Sequence, residues 1–315
     1  KAKHYYEIAA QFNDSSALFE LGFFYEKGLG VEKNYIKAKE YYELSAKYKN
    51  SDALYELGFF YEKGLGIEKN YIKAKKYYEL SAKYKNSDAL LKLGFFYEKG
   101  LGVGQNYNKA KEYYELSANY GNSDASLHLG ILYYNGIFTD QNYQKTKEYF
   151  ELSAKKNNID ALYYLGNLYR RGLGVKQDYS NAKRYYELAA KHNHTDSLLN
   201  LGVLYTEGLG VDKNIEAAKK YFELAAYQKC SKASLNLGII YLDYYHDYSK
   251  AFQHLIIAAQ DEQEAMCILG SMYIFGKGVK QDYLKAKYYF ELSAKSNNSE
   301  SLSNLGIMYL NSLGV

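Results

Sequence analysis

The chain has 315 residues, 47% of them hydrophobic, with 40 tyrosines and neither proline nor tryptophan. Forty basic against 36 acidic side chains leave a formal charge of +4, spread without blocks of one sign, so the electrostatic footprint of a nucleic-acid binder is missing. No apolar run approaches the roughly 18 residues needed to cross a bilayer, and two cysteines, Cys230 and Cys267, cannot build a disulfide framework, which makes reducing, cytoplasmic surroundings the default expectation.

Residues 1–16 have the pattern of the second half of a helical hairpin. From Ala17 onward one period governs the chain. The Leu-Gly pair recurs at Leu21, Leu57, Leu93, Leu129, Leu165, Leu201 and Leu237 in steps of 36 residues, then at Leu269 after a step of 32, and again at Leu305. A fixed period of this size overrides a domain count taken from length. The units are 17–52, 53–88, 89–124, 125–160, 161–196, 197–232, the short 233–264 and 265–300, with a partial unit over 301–315 that stops at Leu313-Gly314-Val315. Half-units at both ends and the missing initiator Met mark the chain, by expectation, as a piece of something longer.

Each unit is expected to form a helix, a glycine turn and a second helix. Leu18, Leu21 and Tyr25 fall at i, i+3 and i+7 on one face of the first helix. Gly28 can take the left-handed conformation that closes it, and the turn sends Val31 back to the core. Asn34 caps the second helix, and Asn70, Asn106, Asn142, Asp178, Asn214, Asp247 and Asp282 repeat that cap, which places the deletion of the short unit in its turn. The second helix carries two apolar stripes, Tyr35-Ala38-Tyr42-Ser45 and Tyr41-Leu44-Tyr48. One of them must lie against the next unit, so the hairpins stack into a continuous core. Small residues at Ala17, Gly22, Ala38 and Ala46 mark close helix approaches. The expected fold class is all-α, a right-handed α/α superhelix of stacked two-helix units forming one array over 1–315.

The spacing Ala-x3-Leu-Gly-x2-Tyr-x2-Gly-x-Gly-Val, followed by Lys-Ala-x2-Tyr-Tyr and a closing Ser/Ala-Ala, resembles the Sel-one-like repeat, a relative of the tetratricopeptide repeat. Residues 161–196 carry it through Ala161, Leu165, Gly166, Tyr169, Gly172, Gly174, Val175, Asp178, Ala182, Tyr186, Ala189 and Ala190. The resemblance implies a binding platform: known members are adaptors in endoplasmic-reticulum quality control, regulators in fungal cell-wall and kinase pathways, and bacterial factors at host interfaces. A cysteine-rich subgroup associated with β-lactams has paired cysteines, whereas Cys230 and Cys267 fall in non-neighbouring units.

Nothing in the sequence owns a reaction. The Gly100 to Gly104 stretch imitates a phosphate loop but follows a helix and recurs as a turn in nearly every unit. His192 and His194 lack the further ligands a metal needs and fit a solvated helix end. His4, His128, His246 and His254 are scattered, with no triad, paired-acid or zinc signature. No catalytic residue, metal or cofactor is therefore expected.

Recognition is expected on the first helices, which usually line the concave side of helix-pair solenoids. The positions that the core pattern leaves open are Glu20, Phe23 and Lys27, then Glu56, Phe59 and Lys63, then Lys92, Phe95 and Lys99. Farther along they become His128 and Ile131, then Tyr164, Asn167 and Arg171, then Asn200, Val203, Asn236, Ile239 and Asn304. Phe23, Phe59 and Phe95 also fit packing against neighbouring first helices. The asparagines can donate to and accept from a peptide backbone, so specificity is placed in residues 128–240. The expected function is a monomeric, non-catalytic scaffold for a protein or peptide partner, without nucleic acid or membrane insertion. The alternatives are the regulatory arm of a larger enzyme such as a protein kinase, and a bacterial-type binder of cell-wall fragments.

Overall fold

The computed structural model describes residues 1–137 and 141–314. Phe138, Thr139, Asp140 and Val315 lie outside the described residues. Among the described residues the chain is all-α, with 18 helices and no strand. It forms two compact units, Lys1–Ala161 and Leu162–Val315.

In the first unit α1 (Ala2–Gln11) is followed by the pairs α2 (Ser15–Lys27) and α3 (Tyr35–Lys47), α4 (Ser51–Lys63) and α5 (Tyr71–Ala82), α6 (Ser87–Lys99) and α7 (Tyr107–Asn119), and α8 (Ser123–Tyr134) and α9 (Tyr143–Ala154). The division between the units passes through α10 (Ile159–Arg171). Next come α11 (Tyr179–Ala190), α12 (Thr195–Glu207) and α13 (Ile215–Tyr227), α14 (Ser231–Asp243) and α15 (Tyr248–Ala258), α16 (Gln263–Phe275) and α17 (Tyr283–Ala294), and finally α18 (Ser299–Leu310). From α1 to α9 and from α11 to α18, each helix packs on its neighbours in sequence.

The punctuation follows the chemistry of the sequence. Gly28 ends α2 at φ +72°, a conformation in which a side chain is strained. The Asn34 side chain accepts from the Lys37 amide at 3.0 Å, and the other seven expected caps, from Asn70 through Asp282, are made as well. The short repeat loses its residues from the turn, where α15 starts four residues after Tyr244, and His246 takes the left-handed conformation at φ +52°.

The core is a column of second-helix side chains. Ala38, Tyr42 and Ser45 are fully buried, and so are Ala74, Tyr78, Ser81, Ala110, Tyr114 and Ser117. Each large ring serves both neighbours: Tyr42 packs tilted on Phe19 of its own repeat at 5.5 Å and edge-on to Phe60 of the next at 5.6 Å. Gly22 faces the same ring closely, since a Cβ there would stand 2.6 Å from it. Ser45, Ser81 and Ser117 are satisfied across the hairpin, their hydroxyls donating to the carbonyls of Ser15 at 2.6 Å, Ser51 at 2.7 Å and Ser87 at 2.7 Å.

Of the two stripes, the first lies against the next unit, with Phe60 filling the seam against Tyr35 and Tyr42. The second stripe stays largely outside: Tyr41 stacks on Tyr25 at 5.6 Å, but Leu44 and Tyr48 are 40% and 46% exposed. Tyr77 of the next second helix packs against the core at this seam, and a notch opens between successive second helices, lined by Leu44, Ala46, Leu57 and Tyr77.

Candidate partner-binding surface

The predicted recognition positions occupy one register of the first helices, and the structure sorts them into three kinds. The first is a set of exposed lysines laid over half-buried rings. Lys27, Lys63 and Lys99 carry their ammonium groups 5.5, 5.8 and 5.9 Å from the rings of Phe23, Phe59 and Phe95, a cation–π arrangement. Phe59 and Phe95 also rest against the core.

The second kind is organised by residues that the sequence pattern passed over. Glu26, Glu62 and Glu98 are buried carboxylates, 6–9% exposed. Each accepts a hydrogen bond from a buried tyrosine sixteen residues later: Tyr42 at 2.7 Å, Tyr78 at 2.6 Å and Tyr114 at 2.8 Å. Each also pairs with the lysine beside it, Lys27, Lys63 or Lys99. The Glu-to-Tyr spacing of sixteen was the available signal, hidden because the tyrosines had already been assigned to packing.

Against each buried carboxylate the following repeat sets a different partner. Lys92 reaches Glu62 at 3.1 Å and lies 5.8 Å from the Phe59 ring. Burial pushes the Glu62 carboxyl up, but the hydrogen bond from Tyr78 and the contacts of Lys92 and Lys63 outweigh it and hold the group below its ordinary value. His128 takes the corresponding place near Glu98, stacked on Tyr114 at 5.2 Å, and burial lowers its pKa despite the pull of Glu98. Glu56 takes it near Glu26. Burial, reinforced by Glu26, pushes the Glu56 carboxyl up to about 7.

The third kind is the polar series of α10, α12, α14 and α18. Asn167 accepts the Tyr186 hydroxyl at 2.7 Å, and the Asn236 amide donates to the Lys232 carbonyl at 2.8 Å, so both serve the scaffold in part. Asn200 and Asn304 are half-buried on the same register. Tyr164 is half-buried and lies edge-on to Tyr163 at 5.4 Å, while Arg171 is exposed. Val203 and Ile239 pack against the core; Glu20 and Ile131 are half-buried. His194 is no solvated helix end: its Nδ1 accepts from the Ser197 amide at 3.2 Å and so caps α12, and its ring lies 4.9 Å from that of Tyr163.

A family model described as the Sel1 repeat matches residues 15–47, 51–83, 87–122, 123–158, 159–194, 195–230, 231–261, 263–298 and 299–315. The chain belongs to the Sel1 repeat family. Sel1 repeat proteins are typically protein-interaction scaffolds, generally non-catalytic. Among solved structures the chain is similar to c5321, a protective antigen of uropathogenic Escherichia coli displaying the same fold, with TM-score 0.86, 30% identity, and coverage of 99% of this chain and 68% of that one. A Sel1 repeat protein from Oxalobacter formigenes is similar at TM-score 0.75 and 26% identity, covering 97% of this chain and 90% of that one. None of the curated proteins matches. Among the described residues, no group of three His, Cys, Asp or Glu side chains could hold a metal ion.

Proposed function

We propose that this Sel1 repeat array is a non-catalytic scaffold that holds a partner peptide or helix along the face presented by its first helices. The observation that carries the reading is the common register of that face. In successive repeats the first helix sets half-buried side chains at i and i+3, of which Phe59, Phe95, Val203 and Ile239 are backed by the core and so stand in place before a partner arrives, and exposed cations at i+7 in Lys27, Lys63, Lys99 and Arg171. Such preorganisation lowers the ordering cost of binding. Asn200 offers an amide that can pair with a peptide backbone in both directions, and Asn236 keeps its carbonyl oxygen for the same use.

The test is affinity capture with the wild-type chain and with the Asn200→Ala, Asn236→Ala double variant, the bound proteins being identified by mass spectrometry. Specific partners of the wild type should be lost or reduced at least tenfold in the variant, with the melting profile unchanged. An identical set of partners at identical yield would place recognition elsewhere.

A further inference from the structure

The outer stripe that the stacking leaves uncovered opens into notches between second helices of successive repeats, and these recur at one register. In the first unit the notch between α5 and α7 has a volume of about 570 Å³. Its walls are Leu80, Ala82, Tyr113 and Leu116, and its floor is Leu90 and Leu93 of α6. In the second unit the notch between α11 and α13 measures about 490 Å³ and repeats the design with Leu188, Ala190, Tyr221 and Leu224 over Leu198. The floors are core leucines of 0–1% exposure, whereas Leu116, Leu188 and Leu224 are 41%, 37% and 50% exposed. The same apolar walls over a leucine floor thus recur at one register in both units.

The rims decide what kind of partner fits. Glu79 is neutralised by Lys75 at 2.6 Å, and Glu187 by Lys183 at 3.4 Å. That leaves Lys76 and Lys83 on one rim, and Arg184 and Lys191 on the other, all exposed. Among the described residues none of these four makes an ion pair. The notch between α3 and α5, about 590 Å³, has the same apolar wall but carries Glu40 where the others have Lys76 and Arg184, so its rim lacks their cationic excess.

We propose that the α5–α7 and α11–α13 notches are docking sites for an acidic protein segment, each taking one leucine side chain onto the apolar floor while flanking carboxylates meet the paired rim cations. The Sel1 platform thereby gains a second binding face, on its second helices, whose selectivity comes from charge. Opposite charges at the rim favour acidic segments and disfavour basic ones, and salt weakens the contact.

The probe is a fluorescein-labelled nine-residue peptide with a central leucine between pairs of glutamates, read by fluorescence anisotropy against the full chain. Control peptides replace the leucine with alanine or the glutamates with lysine. Two equivalent sites are expected, with affinity falling at least tenfold for either control peptide, for the Lys76→Glu, Lys83→Glu, Arg184→Glu, Lys191→Glu variant, and on raising salt from 50 to 500 mM. Glu40→Lys should add a third site. The changed positions are exposed, so thermal melts should stay within a few degrees of wild type. The proposal is overturned if the acidic peptide does not bind, if the control peptides bind as well, or if Glu40→Lys leaves the stoichiometry at two. It is equally overturned if sedimentation shows self-association that Leu80→Asp with Leu188→Asp abolishes, because a second copy would then cover the stripe. The first-helix face is untouched by these changes, so failure here leaves the Asn200 and Asn236 test standing.

Discussion

The hydroxyl of Tyr78 donates a 2.6 Å hydrogen bond to Glu62, a carboxylate on the facing helix of the same repeat, and both groups are buried. The pairing follows the residue type within this chain. Tyr42, Tyr78 and Tyr114 face Glu26, Glu62 and Glu98, while the corresponding Phe150, Phe222 and Phe290 stand sixteen residues after Tyr134, Thr206 and Ile274. Tyr186, sixteen residues after Arg170, donates instead to Asn167 at 2.7 Å, so each phenol at this position has an acceptor to serve, while the plain rings stand where no carboxylate lies sixteen residues before them.

Tyr78→Phe therefore removes a donor and leaves Glu62 short of a partner in the interior. The expected cost is about 1–3 kcal/mol in urea denaturation. Adding Glu62→Ile, which reproduces the Ile274–Phe290 combination, should recover at least half of that loss. A double variant weaker than the single one would show that Lys92 and Lys63, and not Tyr78, hold the carboxylate's place.

Glu56→Gln should reveal a pH-dependent gain. Glu56 is pushed up to about 7 from an ordinary 4.5, so its charged form is disfavoured in the folded state. Its contribution is intact below about pH 4.5 and is lost as the pH rises through 7. The glutamine variant should match wild type near pH 4 and exceed it by roughly 1–2 kcal/mol near pH 8, a figure reduced for the partial exposure of the site. Parallel stability curves across this range would show that neither burial nor Glu26 raises the Glu56 carboxyl.

A Cβ at Gly94 would stand 2.5 Å from the buried Tyr114 ring. Gly94→Ala should destabilise by about 1–3 kcal/mol through overpacking, and Gly94→Leu by more. Differential scanning calorimetry of the two variants reads both losses, and an unchanged melt for Gly94→Ala would show that the ring can move aside.

Asn106 accepts from the Lys109 amide at 2.9 Å and begins α7. Asn106→Ala should cost about 1 kcal/mol, while Asn106→Asp, the choice made at Asp178 and Asp282, should be nearly neutral. Hydrogen exchange at the first amides of α7 reads this locally, and equal protection in both variants would rule out the side chain as the cap.

The sequence was a good guide wherever a local rule suffices. Helix ends at Gly28, caps at Asn34 and its equivalents, and the closeness of Gly22 to a large ring all follow from backbone conformation, unpaired amides and residue volume. These properties belong to a residue and its near neighbours in the chain. The family was legible for the same reason, since nine repetitions of one local pattern leave little freedom.

Contacts between residues distant in sequence were not legible. The pattern marked Tyr41, Leu44 and Tyr48 as a stripe to be buried, but whether a stripe is covered depends on where the next hairpin settles, and Phe60 fills that seam from the other side. Glu62 has the composition of a surface residue, and only the stacked helices set Tyr78, Lys63 and Lys92 around it. Asn167 looked free for a partner until the fold supplied the Tyr186 hydroxyl as its neighbour. Periodicity alone thus determined the helices, their ends and the repeat. Tertiary structure decided which apolar faces remain open and which charges are paired, because burial and pairing are properties of the space between helices and not of any one of them.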